Sequence, residues 1–122
     1  MALARDLVAT HFSPGQAKGV GGQIAPTVSA AGTIITDATD LVASVNVVTT
    51  VAASSGVQLY FGELGDSMMV YNGGANILLV YPPSSSHTIN QLSAGTAMQL
   101  AVSTACTFTL VTSTRVIALL SA

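Results

Sequence analysis

The sequence predicts an all-β chain, a small antiparallel sandwich or barrel of about eight short strands behind an extended N-terminal arm. From Thr27 onward, short segments rich in Val, Ile, Thr and aromatic residues are separated by clusters of Gly, Asn, Pro and Ser, which is the strand-and-turn pattern. Thr107-Phe108-Thr109-Leu110 alternates polar with apolar, placing Phe108 and Leu110 on one face of a strand and the threonines on the other. The chain's 122 residues fit one domain with one core.

Taken in order, residues 1–26 differ from the rest. They hold Arg5, Asp6, Lys18 and His11, and a Gly-rich stretch, Gly19-Val20-Gly21-Gly22, closed by Pro26. This composition reads as an arm, with residues 27–122 forming a single β domain. Leu3, Leu7 and Val8 fall at helical spacing, and Pro14-Gly15 would stop a helix there. The arm is either an ordinary mobile terminus or a segment that lies across a neighbouring subunit and orders on assembly. Candidate strands follow at residues 27–29, 44–52, 57–61, 67–71, 76–81, 87–89, 97–102, 107–112 and 115–120. Asn72-Gly73, between the apolar runs Met68-Met69-Val70-Tyr71 and Ile77-Leu78-Leu79-Val80, predicts a tight hairpin that folds one run back on the other. The adjacent Met68 and Met69 should point to opposite faces. Residues 77–80 and 116–120 do not alternate, so both are expected to be covered twice, once by the core and once by another copy of the chain.

The charge count bears most directly on function. Charged residues make up 7% of the chain, and Arg115 is the only one between Ser67 and Ala122. An ordinary soluble domain devotes about a quarter of its residues to charge, so much of this surface is expected to be covered by protein. Three cations in all leave no basic patch for nucleic acid. No apolar run reaches the 18 or so residues of a spanning helix, and Arg5 and Asp6 interrupt the N-terminus before a secretory apolar stretch develops. The single cysteine, Cys106, cannot form an intrachain disulfide.

No enzyme constellation emerges. Cys106 at a strand start reads as a small core residue. Ser84-Ser85-Ser86 beside His87 are too close in sequence to form an oriented nucleophile pair, and His11 lies in the arm. Asp37, Asp40, Glu63 and Asp66 read as solvated turn carboxylates, since Asp37-x-x-Asp40 lacks the alternating ligands of a calcium loop. Gly19-x-Gly21-Gly22 has neither the preceding strand nor the following helix of a dinucleotide site. Tyr60, Tyr71 and Tyr81 could stack a sugar, but Tyr71 and Tyr81 read first as anchors of strand ends. No catalytic residue, cofactor or metal is therefore expected.

The second half carries a recognisable arrangement: Gly65-Asp66, an apolar strand to Tyr71-Asn72, Gly74-Ala75-Asn76, Val80-Tyr81-Pro82-Pro83, Ile89-Asn90, Leu92, and Phe108 before a last strand. Over residues 44–120 it resembles small virion proteins of tailed bacteriophages. The resemblance implies a structural protein, made in the host cytoplasm and carried on the capsid surface, most like a capsid decoration (cement) protein. It also implies a homotrimer whose partners are its own copies and the major capsid protein or another virion protein. A head-fibre, tail or baseplate module with a receptor- or glycan-binding role is the alternative. The residues expected to make assembly contacts are Leu3, Leu7 and Phe12 in the arm, and Leu78, Tyr81, Val116 and Leu119 in the strands.

Overall fold

A computed structural model describes residues 23–120. The described chain is all-β, with ten strands and no helix: β1 (Ile24–Ser29), β2 (Thr39–Asp40), β3 (Val45–Thr50), β4 (Gly56–Gln58), β5 (Ser67–Asn72), β6 (Leu78–Tyr81), β7 (Thr88–Ile89), β8 (Met98–Leu100), β9 (Ala105–Leu110) and β10 (Arg115–Leu120). Each candidate strand segment overlaps one of these elements. Only β2 is new, two residues between Asp37 and Asp40 that read as a turn because so short a strand leaves no period to detect.

The pairing differs from the expected antiparallel sandwich or barrel. The strands form a six-stranded sheet ordered β1-β3-β5-β9-β10-β7 and a four-stranded sheet ordered β2-β4-β6-β8. Through β6 the chain alternates between them, and each new strand lies parallel to the one laid down a coil earlier: β1 on β3, β3 on β5, β2 on β4, β4 on β6. This winding is solenoid-like, each coil resting on its neighbours. The last strands close it differently. β8 pairs antiparallel with β6, β9 with β5 and β10 with β9, while β7 joins the outer edge parallel to β10.

The inward faces of the two sheets share one core. Val48, Val70, Phe108, Val116 and Ile89 from the larger sheet meet Val57, Leu78, Val80 and Leu100 from the smaller, with Leu41 and Leu59 closing the corner. Phe108 and Leu110 point inward as the alternation required, and of the two methionines Met68 is buried and Met69 faces out.

The expected hairpin at Asn72-Gly73 does not form. β5 and β6 lie in different sheets, and residues 73–77 carry the chain round a corner between them. That corner is held by side-chain amides. Asn72, fully buried, donates from Nδ2 to the carbonyls of Asn76 and Leu100 (both 2.9 Å) and accepts at Oδ1 from the Gly74 N–H (3.0 Å). Asn76 Nδ2 donates to the Val51 carbonyl at 2.8 Å. Glycine at position 74 is required by proximity, since a Cβ there would lie 2.6 Å from a Val51 methyl group.

The domain also begins earlier than the Pro26 boundary suggested. Ile24, Ala25 and Pro26 belong to β1, and Gln23 is bound to Ser44: the Gln23 N–H donates to Ser44 Oγ (3.0 Å), while Ser44 returns bonds from its Oγ (3.0 Å) and its N–H (3.1 Å) to the Gln23 carbonyl. Proline is tolerated there because β1 has no neighbour on its outer side among the described residues.

Candidate functional site

Three of the seven residues expected to make assembly contacts, Leu3, Leu7 and Phe12, lie outside the described residues. Of the four strand residues, Leu78 and Val116 are fully buried and Tyr81 nearly so, its hydroxyl donating to the Thr33 carbonyl at 3.1 Å. These three serve the chain's own core and are not free to meet a partner. The apolar run of β6 is explained by its own chain, which buries Leu78, Val80 and Tyr81, whereas in β10 Val116 alone is fully buried and the end of the strand stays exposed. Leu119 is 69% exposed, on the opposite face of β10 from Val116.

Strand register gathers Leu119 into a larger feature. On the outward face of the six-stranded sheet, Ile24, Val45, Met69, Thr107 and Leu119 stand side by side in one row across β1, β3, β5, β9 and β10. Val47, Tyr71 and Ala105 form a second row. Ser67, Thr109 and Ile117 form a third, in which the Ser67 and Thr109 hydroxyls share a 2.8 Å hydrogen bond. None of these residues is charged; Arg115, at the start of β10, stands at the rim. The outer face of a sheet in water ordinarily carries the polar half of an alternating pattern. Here the side-chain hydrogen-bonding groups in the three rows are the hydroxyls of Thr107 and Thr109 on β9 and of Ser67 and Tyr71 on β5, and the other residues are aliphatic or methionine. Four strand spacings and a few residues of rise give a projected area on the order of 300 Å², the size of patches that are often functional on monomers.

The groups with chemical potential are dispersed. Among the described residues, no three of His, Cys, Asp and Glu gather where they could hold a metal ion. Ser84 Oγ and His87 Nδ1 are 2.7 Å apart, so the pair that looked too close in sequence does make contact. The contact belongs to a turn: the Ser86 N–H donates to Ser84 Oγ and the His87 N–H to the Ser84 carbonyl. Among the described residues no carboxylate is hydrogen-bonded to the imidazole, and the contact serves to cap a loop. Asp66 accepts at Oδ2 from the Gly62 and Glu63 N–H groups (2.9 and 3.0 Å), the turn role expected of it. Of the tyrosines, Tyr81 is withdrawn into the core, Tyr71 is half-covered in the sheet, and Tyr60 is exposed in a corner. No shared sugar-stacking platform forms.

Cys106 is buried among the inward side chains of β9, and burial pushes its thiol from 9.0 up to about 11. Desolvation disfavours the thiolate, the nucleophilic form. The folded protein is therefore expected to resist a thiol reagent at pH 8 and to react fully once denatured. The linkage has a definite sign. Burial keeps Cys106 protonated in the folded chain while the unfolded chain ionises, so the stabilising contribution is complete below about pH 9 and declines as pH rises toward about 11. Equal labelling in native and denaturing buffer would show that β9 is not shielded.

The outward rows were missed from sequence because they depend on register. Five residues from five strands become neighbours only after the pairing is known, and the charge count alone signalled that such a face had to exist. No family model, curated protein or solved structure matches this chain.

Proposed function

We propose that this chain is a virion structural subunit of a tailed bacteriophage, a capsid decoration protein that assembles as a homotrimer on the outer shell and stabilises the head. The single observation that supports self-assembly best is the uncharged outward face of the six-stranded sheet, on a body with no convergent acid, base or metal set among its described residues. The virion setting rests on the resemblance of residues 44–120 to small phage virion proteins.

The area of the face decides what kind of adhesion is at work. About 300 Å² is well below the roughly 800 Å² per partner of a standard interface, so this face gives a modest contact by itself. A trimer places three such faces around one axis, and attachment to a shell then adds further contacts at high effective concentration. The work is additive: weak individual contacts, multiplied over a particle, oppose expansion of the shell.

Light scattering of the purified full chain tests self-assembly. A trimer mass is the expected result, and the trimer should then bind expanded heads that lack it. A monomer at every concentration would overturn the self-assembly reading. The receptor- or glycan-binding alternative has Tyr60 as the one exposed aromatic ring among the described residues, and binding to a glycan array without self-association would favour it.

A further inference from the structure

Asn72 is followed by Gly73, whereas the other three asparagines, Asn46, Asn76 and Asn90, are followed by Val47, Ile77 and Gln91. The difference is chemical. The backbone nitrogen after an asparagine, once it loses its proton, can attack the side-chain carbonyl carbon. A bond forms between that nitrogen and Cγ, the bond from Cγ to Nδ2 breaks, and the amide leaves as ammonia. Water then opens the five-membered imide at either carbonyl, giving aspartate or the isomer in which the main chain runs through Cβ and Cγ. A side chain on the following residue crowds the attacking nitrogen, and glycine has none. Asn72-Gly73 is therefore the one asparagine junction in the sequence where this route is unobstructed.

The fold closes that route. Asn72 is the last residue of β5, and an extended backbone keeps Cβ and the next nitrogen apart about the Cα–C bond, whereas the imide ring needs them eclipsed. The peptide group between Asn72 and Gly73 is held in place at both ends: its carbonyl accepts from the Ser103 N–H and its N–H donates to the Val48 carbonyl, each at 2.8 Å. The leaving nitrogen, Nδ2, is engaged by two carbonyls, and the residue is shut off from water. The fold makes no comparable demand for glycine at position 73. Gly73 is exposed and has no left-handed φ, and a Cβ there would meet the edge of the half-exposed Tyr71 ring at 3.2 Å.

We propose that Asn72-Gly73 is a modification site gated by folding: deamidation proceeds in the unfolded chain, is blocked in the folded one, and gives a product that does not return to this fold. The last step follows from the geometry of the corner. Aspartate at position 72 would replace the Nδ2 donor with an oxygen facing the Asn76 and Leu100 carbonyls, and a buried charge without a partner is heavily penalised. The isomer lengthens the main chain between Asn72 and Gly73 and breaks the register with Val48. A chain that stays unfolded is thereby withdrawn irreversibly from the folding pool, and promptly folded chains persist. This inference does not depend on the virion reading or on the sheet face.

The test uses the full chain, incubated at mildly alkaline pH in native buffer and in denaturant. Conversion at each asparagine is read by mass spectrometry of fragments and by enzymatic methylation of isoaspartate. Conversion at Asn72 in denaturant, ahead of the other three asparagines, is expected, with none in native buffer over the same period. On dilution from denaturant, only the unconverted fraction should recover the circular dichroism of the folded state, so that refolding yield falls in step with conversion. Gly73→Ala is the control: it should remove the fast conversion and hold the refolding yield constant. Equal conversion in native buffer, conversion in denaturant no faster at Asn72 than at the other sites, or recovery of the parent denaturation midpoint by converted chains would each overturn the proposal. A refolding yield that still decays in Gly73→Ala would overturn it too, since the loss would have another cause. If Gly73→Ala fails to fold, conversion and refolding yield read on the same parent samples decide the matter.

Discussion

Asn72→Ala is expected to remove about 4 kcal/mol of stability, a large share of the roughly 5–15 kcal/mol available to a domain. The reasoning starts from the three hydrogen bonds of its amide. Truncation leaves the buried Leu100 carbonyl and the half-buried Gly74 N–H without the Asn72 amide, and each such loss costs about 1–3 kcal/mol where water does not replace the bond. The Asn76 carbonyl also loses its bond, adding a smaller amount where water can reach it. Asn72→Asp should be at least as damaging although it preserves shape, because a carboxylate oxygen would replace the Nδ2 donor and face two carbonyls. Asn72→Leu should fail for the same reason as alanine, since restoring volume does not satisfy the remaining polar groups. Denaturant midpoints compared at one fixed protein concentration measure the effect, and the concentration must be held because association with other copies also stabilises. A loss below about 1 kcal/mol would mean that the corner is not held by this amide.

Asn72 also shows where the sequence was legible and where it was not. Period-two patterning and turn residues locate strands and assign their faces: residues 105–110 show Cys106, Phe108 and Leu110 inward with Thr107 and Thr109 outward. Such local signals do not name the neighbour in the sheet. Asn-Gly favours a hairpin because both residues accept the left-handed conformation, yet at Asn72 the amide serves as an internal clamp, and the nearby Gly74 is dictated by close approach to Val51. The run 77–81 held the informative signal. A strand flanked on both sides by parallel or mixed neighbours reads as nearly continuous apolar sequence, and Leu78, Val80 and Tyr81 are buried by their own chain. Ascribing that run to contact between copies moved core residues to the surface. The same limit applies to the outward face, whose members lie far apart in sequence.

The contrast between Leu78 and Leu119 turns this distinction into an experiment, because the same substitution should have opposite outcomes. Leu78 is fully buried and stands in register with Leu100 between the two sheets. Leu78→Asp places an unpaired carboxylate in a dry core, at a cost that exceeds the 4–5 kcal/mol reached by the most damaging single changes, and the chain should fail to fold. Leu119→Asp should leave the stability of the isolated domain within about 0.5 kcal/mol, as exposed positions generally do. Its effect falls on association. A carboxylate would stand in the row beside Thr107 and Met69, where the one cation among the described residues, Arg115, stands at the rim. If that face is buried between copies, a penalty of about 2 kcal/mol per contact is the low end for a charge left unpaired at an interface, equivalent to about a 30-fold weakening. Circular dichroism should therefore show a folded Leu119→Asp protein, and light scattering should show it as a monomer at concentrations where the parent chain associates as proposed. Retention of the parent mass by Leu119→Asp would remove the sheet face from the assembly and leave the scarcity of charge to be explained by another surface.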